Sequence, residues 1–225
     1  MSDTLIKLFE NGMMYEAVWA TVYMTVLSTL ISYVIGLPLG IILYITKEKC
    51  LVPCKPLNVI LGFAVNLLRS VPFIILTFAI FPITQLIAGT TMGDGAMIVT
   101  LVIGAAPYVA RMVESSLLEL DGGVIEASQS MGSSLTQIIF KVLLPEAKPS
   151  LITGAVISAI TVLGYSAMSS TIAGGGLGAI AFTFGYQISE NDVTWICVAF
   201  IVIIVQLIQT LGNYIAFKCD KRIKK

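Results

Sequence analysis

Five long apolar runs constrain this chain more than any other feature. They lie at about Ala17 to Thr46, Leu57 to Ile80, Gly95 to Leu118, Ser150 to Met168 and Val193 to Phe217. A helix that crosses the hydrocarbon core needs roughly 20 mostly apolar residues, and each run is about that long or longer. Only 12% of the residues are charged and the mean hydropathy is +0.95. A soluble domain carries about 25% charged residues, so this chain has too little polar surface to cover a soluble globule. The sequence therefore predicts an all-α integral membrane protein of five transmembrane helices, forming a single domain over residues 1–225.

Orientation follows from basic residues in the short loops, of which the one expected from Pro82 to Gly93 has none. Lys47, Lys49, Lys55, Lys141, Lys148, Lys218, Lys221, Arg222, Lys224 and Lys225 fall on one side, and only Lys7 on the other. The first side is expected to be cytoplasmic, with the N-terminus outside and the C-terminus inside. The opening residues, with Asp3, Glu10 and Glu16, read as a short amphipathic lead-in to a retained span. A cleaved signal peptide would start basic and end on small residues. In the first run Gly36 and Gly40 have the GxxxG spacing that lets another helix approach closely, and Pro38 between them is placed to kink it.

Several chemistries are excluded. The chain has no histidine, the commonest general base and metal ligand. Cys50 and Cys54 lack the further ligands of a zinc site, and the four cysteines read as ordinary thiols. Gly174, Gly175, Gly176 and Gly178 are not followed by the Gly-Lys-Ser/Thr of a phosphate loop. A tight turn or a close backbone approach accounts for them. No catalytic triad or paired-carboxylate site is present, and a net charge of zero points to no nucleic-acid partner. The expectation is a non-enzyme without metal or cofactor of its own.

Polar residues inside an apolar chain then mark function. Arg69 falls within the second run beside Ser70 and Pro72, where irregular backbone is tolerated only if buried in protein or lining a cavity. It reads either as a pathway residue or as an arginine that snorkels or pairs with a carboxylate, Glu114 being one candidate. Arg111 and Glu114, spaced i,i+3, can instead pair with each other. From Pro149 to Ser189 there is no charge at all, only Gly154, Ser158, Thr161, Gly164, Tyr165, Ser166 and Met168 among other neutral residues. Such a lining suits an uncharged or zwitterionic solute better than an ion.

The longest polar interval runs from Gly122 to Pro149, within a predicted loop of residues 119–149. Gly122 and Gly123 allow a sharp turn, and Val124 to Met131 forms a short helix with Glu126 near its positive end. Gly132 breaks it, and Ser133 or Ser134 caps a second amphipathic helix, Leu135 to Leu144, which Pro145 is expected to end. Two amphipathic helices with little to bury against want a partner protein or the membrane surface.

This interval resembles the cytoplasmic loop of permease subunits of type I ABC importers. Their pattern is EAA, three residues, Gly, nine residues, then I-x-L-P, and here Glu126, Ala127, Ser128, Gly132, Val142, Leu144 and Pro145 keep that spacing. Ser128 and Val142 depart from the pattern modestly. GLPLGIILY at Gly36, RSVPFIIL at Arg69, GAAPYVARMVESSLLE at Gly104, IEASQSMG at Ile125, and GYSAM and GGGLG at Gly164 and Gly174 are similar to the methionine importer permease family. The resemblance implies a multi-pass inner-membrane permease paired with a second copy of itself. It implies that Glu126, Ala127, Ser128, Gly132, Leu144 and Pro145 dock into a pair of ATPase subunits, which hold the ATP and Mg. It further implies delivery of methionine by an extracytoplasmic binding lipoprotein, and places Met168 at the gate of the translocation path, for which Tyr165, Ser166 and Arg69 are the further candidates by residue type. The rival readings are a permease for another small zwitterionic or polar solute, a secondary transporter without an ATPase partner, and a membrane scaffold.

Overall fold

The computed structural model describes residues 3–48 and 50–220. Lys49, Lys221, Arg222, Lys224 and Lys225, counted above for orientation, lie outside the described residues. The described residues are helical, with no strand among them. The helices are α1 (Asp3–Glu10), α2 (Met13–Ile45), α3 (Lys55–Ser70), α4 (Phe73–Ala79), α5 (Phe81–Ala88), α6 (Asp94–Leu118), α7 (Gly122–Ser130), α8 (Leu135–Gln137), α9 (Leu144–Ser166), α10 (Leu177–Ile180) and α11 (Asn191–Cys219). Wider π turns at Ile138–Leu143 and Ala181–Gln187 extend α8 and α10, and a 3-10 turn covers Ser169–Ile172.

Four helices are long and apolar enough to cross a membrane, among them Leu135–Ser166 taken as one, and the number rises to five if α3 and α4 together form a broken span. The second apolar run is thus not one helix. Pro72 has no N–H to donate, and proline disfavours the helical region for the residue before it, here Val71. The carbonyl of Pro72 then starts α4 by accepting from Ile75 and Leu76 at 2.9 and 3.0 Å. The stretch from Pro82 to Gly93, expected to be a loop, is helical as far as Ala88. Pro82 falls in the first turn of α5, where a missing N–H costs nothing.

The chain divides into two compact units. The first is built from residues up to Ser32, Val71–Ala105 and Ser158–Gln209; the second from Tyr33–Ser70, Ala106–Ile157 and residues from Thr210 on. In the first unit Leu5 and Leu8 of α1, Met14 and Ala17 of α2, Leu177 and Ile180, and Val193 and Cys197 of α11 make one buried cluster. The amphipathic lead-in is therefore a packed helix. A second cluster joins Met24, Phe73, Met97, Leu101, Val162 and Ile172.

In the second unit α2 packs on α6 through its glycines. The partner left open by the sequence is this chain's own α6: a Cβ on Gly40 would stand 2.6 Å from both the Ala110 carbonyl oxygen and Val113 Cβ. Helix α2 remains unbroken through Pro38. Gly154 packs beside Met112 and Tyr33, and the Tyr33 hydroxyl donates to the Leu151 carbonyl at 3.4 Å.

Gly40→Val forces a side chain into a backbone carbonyl that cannot yield. Overpacking of this kind costs about 1–3 kcal/mol, so the melting temperature of the detergent-solubilised variant should fall. Gly95→Ala, with open space around the added methyl, should melt like the parent. Equal melting of all three would contradict the α2–α6 contact.

Candidate functional site

The polar interval is built from interlocking caps. Asp121 accepts the Gly123 N–H at 2.9 Å and opens α7. Gly122 and Gly123 therefore form the first turn of a helix rather than a turn before it. At the far end Gly132 takes φ +77°, a left-handed conformation that only glycine adopts without cost. Its N–H donates to Gln129 O at 2.9 Å and that of Ser133 to Ser128 O at 3.2 Å, the paired bonds of a Schellman cap. Ser134 then starts the next helix by a capping box: its backbone N–H donates to Gln137 Oε1 at 2.9 Å and its hydroxyl accepts from Gln137 N at 3.4 Å. Of the two serines offered by the sequence, Ser134 is the cap.

The second helix does not stop at Pro145. The π turn at Ile138–Leu143 hands over to α9, with the Leu144 N–H reaching back to Ile139 O. Pro145 thereby falls in the first turn of α9, and π adjustments of this kind re-satisfy backbone around a proline. The expected pair of free helices is one helix, α7, followed by the N-terminal extension of a spanning helix. Ile138, Ile139 and Leu143 are buried against Val109, Val113 and Leu117 of α6 and Tyr44 of α2. The opposite side is open. Glu126 and Ala127 are exposed, as are Val124, Met131 at 77% and Phe140 at 68%. Ser128, one of the departures from the pattern, is buried, and its hydroxyl is satisfied by the Val124 carbonyl at 2.9 Å. Leu144 is half-buried and Pro145 exposed.

Behind this segment lies a charged network. Glu114, only 4% exposed, pairs with Arg111 at 2.6 Å and with Lys47 at 3.3 Å. Arg111 also donates to Gly62 O and Asn66 Oδ1, both at 3.1 Å, and so ties α6 to α3. Of the two partners weighed for Glu114, Arg111 is the one present. Arg69 is exposed and lies over the Tyr108 ring at 5.7 Å from its centroid, a cation–π contact. Sequence reading missed Lys47, which lies 67 residues from Glu114 in sequence. In the loop beyond α2, burial pushes the Cys50 thiol up, against the lowering pull of Lys47, so it stays protonated at neutral pH.

The neutral residues of the first unit form a separate group. The Tyr165 ring stacks on Phe73 with centroids 4.5 Å apart, and the buried Ser166 hydroxyl donates to Leu163 O at 2.8 Å. Met168, at the bend between α9 and the 3-10 turn, is 41% exposed. Ser158 is buried, whereas Gly164 faces open space. The Gly178 backbone packs directly on that of Ala167, the close approach the glycine run allows. Among the described residues no cluster of three metal-ligating side chains occurs.

An all-helical chain with four or five helices apolar enough to cross a membrane, and a capped polar segment between two of them, defines a multi-pass membrane protein. The chain belongs to the binding-protein-dependent transport system inner membrane components, whose family model matches residues 36–225. It is 44% identical over 210 residues, 93% of each chain, to the probable D-methionine transport system permease protein MetI of Vibrio cholerae. It is 44% identical over 181 residues, 80% of this chain and 82% of the other, to the methionine import system permease protein MetP of Bacillus subtilis. Among solved structures it is similar to the MetNI methionine ABC transporter in inward-facing conformations, with a TM-score of 0.93 and 42% identity over 98% of this chain and 100% of that one. An amino acid ABC transporter shares the fold, with a TM-score of 0.79 at 18% identity.

Gly132→Ala places a Cβ in a left-handed conformation at a cost of about 1–2 kcal/mol, and Ser134→Ala removes a cap worth about 1 kcal/mol. Each should raise amide exchange at residues 129–137 severalfold without disturbing α6. Unchanged exchange in both would contradict the capped geometry.

Proposed function

We propose that this chain is the permease subunit of an ATP-driven importer of methionine and close analogues in the inner membrane. The observation that carries the reading is the match to the MetNI methionine transporter across 98% of the chain at 42% identity. ATP is bound and hydrolysed, with Mg, on a partner ATPase pair, and the chain acts with a second copy of itself. An extracytoplasmic lipoprotein is the source of substrate. The N-terminus lies outside and the C-terminus inside, with α3 and α4 together counted as the second of five spans. Lys47, Lys55, Lys141, Lys148 and Lys218 would then all face the cytoplasm.

The mechanism follows from what this chain offers. The exposed edge of α7 and its turn, Glu126, Ala127, Met131 and Gly132, with Phe140 beside it, is a compact partner surface on a rigid base. Ser128, Leu144 and Pro145 support it from behind: Ser128 closes α7 on itself, and Pro145 fixes where the docking helix becomes a span. When the ATPase pair closes on ATP, these segments are drawn together and the helices attached to them reorient the pathway. Met168 guards that pathway, with Tyr165 and Ser166 setting the turn from which it projects, and Arg69 lies at the α3–α4 break. A thioether gate among neutral residues offers a methionine side chain contacts of its own kind.

Reconstitution of the chain with its ATPase in liposomes tests the reading. Methionine uptake should require ATP, and Glu126→Lys or Gly132→Val should lower it at least tenfold while the chain still inserts. Uptake driven by an ion gradient without the ATPase would instead establish a secondary transporter.

A further inference from the structure

The turn that carries Met168 is held from outside its own sequence. It leaves α9 at Ser166, makes the 3-10 turn Ser169–Ile172, passes through Ala173 at φ +53°, and enters α10 at Leu177. Local bonds shape it: Gly174 N–H donates to Ser169 O at 2.9 Å, and the Ser169 hydroxyl donates to Gly175 O at 2.5 Å. Two distant side chains and one distant backbone N–H hold it. The Gly175 N–H donates to Asp94 Oδ1 at 2.5 Å, 81 residues away, and the Leu177 N–H donates to Thr21 Oγ1 at 2.9 Å, 156 residues away. Asp94 begins α6, where the helix end favours its negative charge, and the adjacent Gly93 N–H donates to Ile172 O at 2.9 Å.

Packing does not do this work on both sides. Asp94, Gly175 and Gly176 line a cavity of about 540 Å³, together with Glu16, Trp19 and Tyr23. Glycines beside open volume have no side chains with which to anchor the backbone. The turn therefore depends on its hydrogen bonds, and the one to a carboxylate is charge-assisted and the stronger.

We infer that Asp94, assisted by Thr21, is a positioning residue for transport: it clamps the Gly174–Gly176 backbone and so fixes the turn from which Met168 projects. This rests on the reading of Met168 as the gate. Loss of the clamp frees the turn and lets the gate leak, while the packed clusters on either side persist.

The test uses the full permease–ATPase complex, with hydrogen exchange on peptides covering residues 169–178 and ATP-independent methionine leak from liposomes. Asp94→Ala should raise exchange at least tenfold and raise leak, whereas Asp94→Asn, which keeps an acceptor oxygen, should restore most of the protection. Should Asp94→Ala fail to assemble, Thr21→Val, nearly isosteric, removes the second clamp and should raise exchange at Leu177. Parental exchange in Asp94→Ala or Thr21→Val, or equal rises in Asp94→Ala and Asp94→Asn, would overturn the positioning role. Raised exchange with no leak in either Asp94→Ala or Met168→Ala would leave the clamp standing and overturn the gate reading instead.

Discussion

In hydrocarbon every backbone N–H and C=O must find its partner within the protein. Continuous helix meets that demand by itself, so the instructive places are those where this chain stops being helical. At Val71–Pro72 the missing donor is absorbed by letting Pro72 O open a new helix. Outside the spans the same pairing is met at Gly132, where a Schellman cap and a capping box meet back to back and join α7 to α8. At Gly174–Gly176 local bonds do not suffice, and Asp94 and Thr21 supply the remainder from distant helices. These three breaks fall where function is proposed: the α3–α4 bend, the segment proposed to meet the ATPase and the turn proposed to carry the gate.

Burial makes the segment proposed to meet the ATPase rigid. Its inner face is part of the same cluster as α6, through Ile138, Ile139 and Leu143 against Val109, Val113 and Leu117. Each such aliphatic side chain contributes about 1.5–3 kcal/mol when fully buried. Another part of α6 carries Arg111 and Glu114, which bind α3 and Lys47. A displacement imposed on the segment therefore meets α6 directly rather than a flexible linker. The buried Glu114 is tolerable because it is doubly paired; removing either cation leaves a costly charge.

Much of this was legible in the residues. Run lengths located the long helices, and the Gly132-Ser133-Ser134 sequence foretold a break and a cap. Spacing alone joined Arg111 to Glu114. What was not legible has a physical reason in each case. Ser70 and Pro72 signalled irregular backbone within the second run, but apolarity does not register how sharply it bends there, by 106°, and α5 passed for a loop. Pro145 was read as a helix end because the π turn that accommodates it has no strong sequence signature. Lys47–Glu114 and Asp94–Gly175 join residues far apart in the chain, and no periodicity connects such pairs. For Met168, likeness to a family suggested a gate role that residue type alone would not have suggested, whereas Arg69 and Tyr165 were pathway candidates by residue type.

On the proposed function, the exposed edge of residues 122–145 is the surface on which the ATPase docks. Hydroxyl-radical footprinting of the chain alone and bound to its ATPase measures this directly, because Met131 and Phe140 are both reactive and outward-facing. ATPase binding should protect Met131 and Phe140 while Trp19 and Trp195 keep their reactivity. Unchanged labelling of Met131 and Phe140 in a complex that hydrolyses ATP would contradict it.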